Sequence, residues 1–164
     1  MERAMSLMDG VHYGLAGPSD IEGRTGRQIL QAMIDGALPA PTICQGLTFR
    51  LTEVGDGVVL FIGETSRNIM NPLGTVHGGW ALTLIDSATG CAAMSTLPAG
   101  VSYTTVETKA NFVRPIMADT GLVTCEARCL ARGRQIITAE ATIKDSAGKL
   151  LAHGGSTMIV LPPK

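Results

Sequence analysis

Charge is scarce in this chain. Asp, Glu, Lys and Arg make up 16% of its 164 residues, against roughly 25% in an average globular protein. The formal net charge is −1, and without a basic excess there is no footprint for general nucleic-acid binding. Aromatic residues are also few, at 4% with a single Trp. The four cysteines, Cys44, Cys91, Cys125 and Cys129, form no C-x-x-C pair and have no histidine at zinc-ligand spacing. No metal site is therefore expected, and buried free thiols in a reducing compartment are. The opening MERAMSLMDG has no apolar signal-type core, and the apolar stretch 80–97 is interrupted by Asp86 and small polar residues. The expectation is a cytoplasmic protein with neither a secretion signal nor a membrane span.

Apolar residues are plentiful, at 45% with a mean hydropathy of +0.25. That supports one domain with a sizeable core. So little charge also suggests that part of the surface is covered by another subunit. The charge present is asymmetric: residues 1–100 hold five Lys/Arg and nine Asp/Glu, and residues 101–164 hold eight and five. Lys109, Arg114, Arg128, Arg132 and Arg134 could meet an anionic ligand group, or could simply solvate strand faces.

The first twenty residues are glycine-rich and unpatterned, and His12 among them carries no chemical argument. Arg27 to Gly36 reads as a short helix, with Ile29, Leu30, Met33 and Ile34 on one side and Gly36 as its stop. From Thr42 the pattern turns to strands, over 47–54 and 58–65, joined by Asp56-Gly57. Gly78 to Thr96 reads as a helix apolar all round, hence buried all round. Four strands follow, over 103–113, 121–131, 136–144 and 150–161, each half-buried by alternation. In the first, Val106, Thr108, Ala110 and Phe112 share a face. In the second, Val123, Cys125, Ala127, Cys129 and Ala131 share one. In the last, His153 shares a face with Leu151, Thr157 and Ile159, as a core or interface histidine. The fold expected is α+β: an antiparallel sheet of about six strands wrapped around one long central helix, with a short N-terminal helix.

The richest segment is 71–86, NPLGTVHGGWALTLID. It places His77, Gly78 and Gly79 at the start of the buried helix and a lone carboxylate, Asp86, inside it. Two glycines let bare backbone N–H groups approach a ligand, and a helix N-terminus offers free donors and partial positive charge to a developing oxyanion. Nine residues separate His77 from Asp86, about 13 Å of rise and about half a turn of rotation, so the two cannot meet within one chain. If both act on one substrate, the site needs two subunits. Unpaired burial of the Asp86 charge would cost several kcal/mol, which favours a functional role over a structural one. Trp80 could line a ligand pocket or simply fill the core.

The ordered set of NPLGTVHGG, the carboxylate nine residues past the histidine, the VETKANFVRPI strand, the RGR hairpin and the closing DSAGKLLA resembles the hot-dog-fold thioesterases of the phenylacetic-acid-degradation (PaaI-type) group. The resemblance covers residues 40–161, leaving 1–40 as an extension and 41–164 as the hot-dog domain. It implies hydrolysis of an acyl-CoA, aromatic or short to medium in chain, to a free acid and CoA, with no cofactor. It also implies sites between two subunits of a homodimer that commonly pairs into a homotetramer. Asp86 matches the catalytic carboxylate, acting as base or nucleophile. Gly78 matches the residue whose N–H polarises the thioester, with Gly79 beside it. Asn71 and His77 match positions that hold the loop, the carbonyl or the water, and Thr105 matches a hydroxyl residue that assists the carboxylate. Arg114, Arg132 and Arg134 are the candidates for the CoA phosphates. Two rival readings on the same fold are a hydratase or dehydratase, whose D-x-N-P-x-H string is absent, and an acyl-CoA-binding module without turnover.

Overall fold

The computed structural model describes residues 7–161. Three short helices lead in: α1 (Pro18–Ile21), α2 (Gly26–Ile34) and α3 (Thr42–Gly46). The strands β1 (Phe49–Val54) and β2 (Val58–Glu64) come next, then the long helix α4 (Gly78–Met94), then β3 (Ser102–Phe112), β4 (Leu122–Arg132), β5 (Ile136–Asp145) and β6 (Leu150–Leu161). The six strands form one antiparallel sheet in the order β1-β2-β4-β5-β6-β3. This is the hot-dog arrangement, with α4 touching all six strands.

The helix is gripped because its residues are apolar on every side. Leu84, Ile85, Ala88, Ala92 and Ala93 are fully buried, and Ile137, Ala139, Ala141 and Ile143 of β5 meet them from the sheet. At the far end of α4 the Ser95 hydroxyl accepts from Gly57 N–H at 2.9 Å, pinning the β1–β2 turn to the helix. The same end holds α2, whose first residue, Gly26, donates to Leu97 O. A side chain at Gly26 would run into the Met94 carbonyl, so only glycine permits this approach. Thr25 caps α2 from the residue before. The chain ahead of α2 is strapped down by a parallel bridge from Tyr13 to Ala40.

Three details depart from simple alternation. Residues 42–46 form α3, so β1 begins at Phe49 rather than 47. In β3 a bulge at Val106 breaks the register against β6. Tyr103 and Thr105 face in before it and Thr108 and Ala110 after it, whereas Val106, expected inside, is 53% exposed. A bulge inserts one residue and flips the phase of the strand beyond it. β4 does the same at Leu130, leaving Ala131 outside with the exposed end of the strand. In β6, Leu151 is the extra residue against β5, so Ala152, Ser156 and Met158 point inward and His153 outward, exposed. His153 is not a core histidine.

Candidate active site

Two cavities flank α4, one at its first turn and one along its middle. The first, of about 290 Å³, is lined by Asn71, His77, Gly78, Phe112 and Arg114 among others. The loop leading to it is closed by Asn71, whose Oδ1 accepts from Leu73 N–H at 2.9 Å and Thr75 N–H at 3.2 Å and whose Nδ2 donates to Thr75 Oγ1 at 2.8 Å. That is an Asx-type turn, in which an asparagine side chain stands in for backbone. His77 N–H donates to Ile69 O and Val76 N–H to Ile116 O, so the loop enters the helix at a fixed angle.

His77 is the N-cap of α4. Its Nδ1 accepts from Gly79 N–H at 2.9 Å, which requires Nδ1 to be bare and leaves Nε2 to carry the proton of the neutral ring. Trp80 N–H turns back to His77 O. Of the opening donors Gly79 and Trp80 are thus spent inside the chain, and Gly78 N–H makes no hydrogen bond among the described residues. The Phe112 ring lies against Gly78 so closely that a Cβ there would stand 3.0 Å from Cζ. One free donor at a helix N-terminus, in a cavity, is suited to an oxyanion.

The second cavity, of about 430 Å³, holds Asp86 and Thr105, together with Ser87, Cys91, Tyr103 and apolar residues from α2, α3, β1 and β2. Asp86 is half-buried. Its Oδ1 accepts from Thr108 Oγ1 at 2.8 Å, and Oδ2 has no partner among the described residues. Thr108 Oγ1 lies 2.9 Å from Ser156 Oγ, which lies 2.7 Å from Thr89 Oγ1. Each hydroxyl has one proton. With Thr108 giving its proton to the carboxylate, Ser156 must give to Thr108, and Thr89 is left to donate to Ser156, sharing its proton with Ile85 O at 2.8 Å. Three hydroxyls, two of them buried, therefore align their dipoles toward Asp86, as satisfied polar networks do in a low-dielectric interior. Oδ2 is the oxygen left free to act.

The cavity also contains thiols that could compete as nucleophiles. Burial pushes the Cys91 thiol up to about 12, with Cys44 and Asp86 adding to the rise, and burial alone pushes Cys44 up to about 11. Both stay protonated and inert near neutral pH. All four cysteines are free.

The sequence-predicted residues thus fall into two sets. Asn71, His77, Gly78 and Arg114 line the smaller cavity, and Asp86 and Thr105 the larger. Arg114 also donates to Leu150 O at 2.6 Å. Gly79 is occupied by His77. Trp80, 3% exposed, lines neither cavity; its indole N–H donates to Leu47 O at 2.7 Å and its ring packs on Gly63. Trp80 is core, because a ring sealed by the sheet has no face left for a ligand. Arg132 and Arg134 are exposed at the β4–β5 hairpin and line neither cavity of this chain. Thr108, Ser156 and Thr89 escaped the sequence reading. Thr89, one helical turn past Asp86, was findable by spacing; Thr108 shares the apolar face of β3 in the sequence, and only the packing of β3 against α4 shows that it meets Asp86.

Residues 73–152 match the thioesterase superfamily. A protein from Saccharolobus solfataricus whose name proposes an esterase is 34% identical over 91 residues, 56% of this chain and 63% of that protein, so the match spans less than two thirds of this relative's length. Among solved structures, a conserved protein from Pseudomonas aeruginosa is 31% identical, with a TM-score of 0.68 over 73% of this chain and 93% of that one. A phenylacetic acid degradation-related protein from Ralstonia eutropha, described with a proposed thioesterase role, is 27% identical, with a TM-score of 0.72 over 79% and 98% of the two chains.

Proposed function

Because the chain belongs to the thioesterase superfamily, we propose that it hydrolyses acyl-CoA to a free acid and CoA at a site shared between two copies of itself. The observation that carries this reading is the pair of unused groups on α4: Gly78 N–H at its start and Asp86 Oδ2 in its middle, in separate cavities. Each is half of a hydrolytic device, and the helix holds the two halves apart. A homodimer that sets the first turn of one α4 against the Asp86 cavity of the other completes two sites at once. The exposed bulge residue Val106 on the edge strand β3 fits burial in such a dimer.

In that site the thioester carbonyl oxygen takes Gly78 N–H as charge develops on it. Asp86 Oδ2 removes a proton from water as the water oxygen bonds to the carbonyl carbon, or bonds to that carbon itself to give a mixed anhydride that water then hydrolyses; in either route the C–S bond breaks and CoA leaves as thiolate. After a single turnover in ¹⁸O-labelled water, label in Asp86 identifies the nucleophilic route with water attacking the Asp86 carboxyl carbon; trapping of an acyl-enzyme identifies that route when water attacks the acyl carbon instead. Asn71 and His77 hold the donor turn, and Thr105 flanks the carboxylate. Arg114, with Arg132 and Arg134 reaching from a neighbouring subunit, would meet the CoA phosphates. A cytoplasmic location belongs to this reading on the strength of the acyl-CoA substrate; separately, no described helix is long and apolar enough to cross a membrane.

The test is thiol release from a panel of acyl-CoAs, followed with a chromogenic disulfide reagent, on wild type beside Asp86→Asn. Turnover by wild type with a loss of about a hundredfold or more in the variant upholds hydrolysis by this carboxylate. Binding of acyl-CoA without release of thiol by either protein overturns it.

A further inference from the structure

The larger cavity contains a cation that hydrolysis leaves unused. Arg50 enters from β1, the sheet edge opposite β3, and lines the same cavity as Asp86. Its Nε is sealed from solvent with no hydrogen-bond partner among the described residues. It has no ion-pair partner among the described residues either, unlike Arg128, which pairs with Glu140 on the outer surface. Beside it the Tyr13 hydroxyl is likewise sealed and without a partner among the described residues; burial pushes its ionisation up, Cys44 adds to the rise, and the nearby Arg50 draws it back down. A buried guanidinium N–H without an acceptor is a standing cost in the empty site. The rest of the wall is apolar, with Leu30, Met33 and Ile34 from α2, Ile43 from α3, and Phe61.

Resting on the thioesterase reading, we propose that this cavity receives the acyl group and selects one that ends in a carboxylate, the CoA thioester of a dicarboxylic acid. A carboxylate meets a guanidinium side-on, accepting from Nε–H and one Nη–H together, a match that an alkyl or phenyl terminus cannot make. The about 430 Å³ available falls within the roughly 300–1,000 Å³ of ordinary small-molecule pockets, and the apolar wall suits the methylenes between the two ends. Asp86 supplies the opposing element: its charge repels a second carboxylate, so the anionic end seats at Arg50 and the thioester at Asp86.

The experiment compares kcat/KM for octanoyl-CoA with that for suberyl-CoA, the same chain length closed by a carboxylate, on wild type, Arg50→Leu and Arg50→Lys. Wild type favours suberyl-CoA by at least about tenfold, as a site built for a polar group rejects the analogue lacking it. Arg50→Leu abolishes that ratio and Arg50→Lys retains part of it. Taking the ratio on one preparation makes it independent of the fraction folded. Equal or better use of octanoyl-CoA by wild type, or an unchanged ratio in Arg50→Leu, overturns the proposal. If wild type hydrolyses neither ester, it is the thioesterase reading that fails, and calorimetric binding of both esters to Asp86→Asn, with and without Arg50→Leu, still decides the carboxylate site. Tighter suberyl-CoA binding that is lost with Arg50 sustains it, and equal binding overturns it.

Discussion

In the proposed mechanism the first turn of α4 and its middle contribute by different means. At the first turn the working group is backbone: Gly78 N–H is free because His77 takes Gly79 N–H and receives Trp80 N–H, and because Asn71 ties the loop that leads in. In the middle it is a side chain: Asp86 is aimed by Thr108 from β3, behind which Ser156 and Thr89 queue. A backbone donor needs only a local motif, whereas an aimed carboxylate needs three elements in register. The first should therefore be sensitive to changes that remove N–H and tolerant of much else, and the second sensitive to single hydroxyls far away in sequence.

The largest effect expected is from Asp86→Asn, which keeps the shape and the Thr108 contact but removes the proposed base or nucleophile. Its kcat should fall by about a hundredfold or more, read as thiol release under saturating substrate. Next is Gly78→Pro. Proline is well tolerated at the first helical position, and His77 already has the extended ψ of 133° that a following proline prefers, so the helix should persist without its free donor. We expect a fall of about a hundredfold, while Gly78→Ala, which sets the same Cβ against Phe112 but keeps N–H, stays within about tenfold of wild type. Similar losses in both variants would show that crowding, not the donor, matters.

Thr108→Val should lower kcat about tenfold with KM little changed, the scale of one charge-assisted hydrogen bond, and Thr108→Ser should restore it. Failure of serine to rescue would mean that β3 only packs against the carboxylate. The smallest effect concerns the thiols. Burial raises Cys44 to about 11 and Cys91 and Cys125 to about 12, from an unfolded value near 9. Their contribution to stability is then fully present below pH 9 and is lost as pH rises through 11 to 12. Thermal denaturation should show a steeper fall in midpoint above pH 9 for wild type than for Cys91→Ala, and iodoacetamide at pH 8 should leave activity intact.

The same contrast explains how much was legible in the sequence alone. The helix from Gly78, the hairpins and the separation of His77 from Asp86 stem from periodicity, turn residues and helix geometry, which are local. The partners of Asp86 do not. Strict alternation puts Thr105 and Thr108 on opposite faces, and the extra residue Val106 turns both inward. Leu151 similarly swings His153 outward. Bulges depend on pairing with a distant strand, so no window of sequence announces them. Arg50 was missed for a related reason: in FRLTEV it reads as the polar face of a half-buried strand, and only the packing of α2, α3 and Tyr13 over β1 encloses it.

The central claim is that the two halves on one α4 serve different sites. It is tested most directly by mixing Gly78→Pro with Asp86→Asn under conditions of subunit exchange, verified by the mass of heteromers carrying two tags, and measuring thiol release. Each heterodimer then holds one site with both groups intact, so random exchange should restore about a quarter of wild-type sites. Activity that stays at the mean of the two variants despite verified exchange would contradict the account.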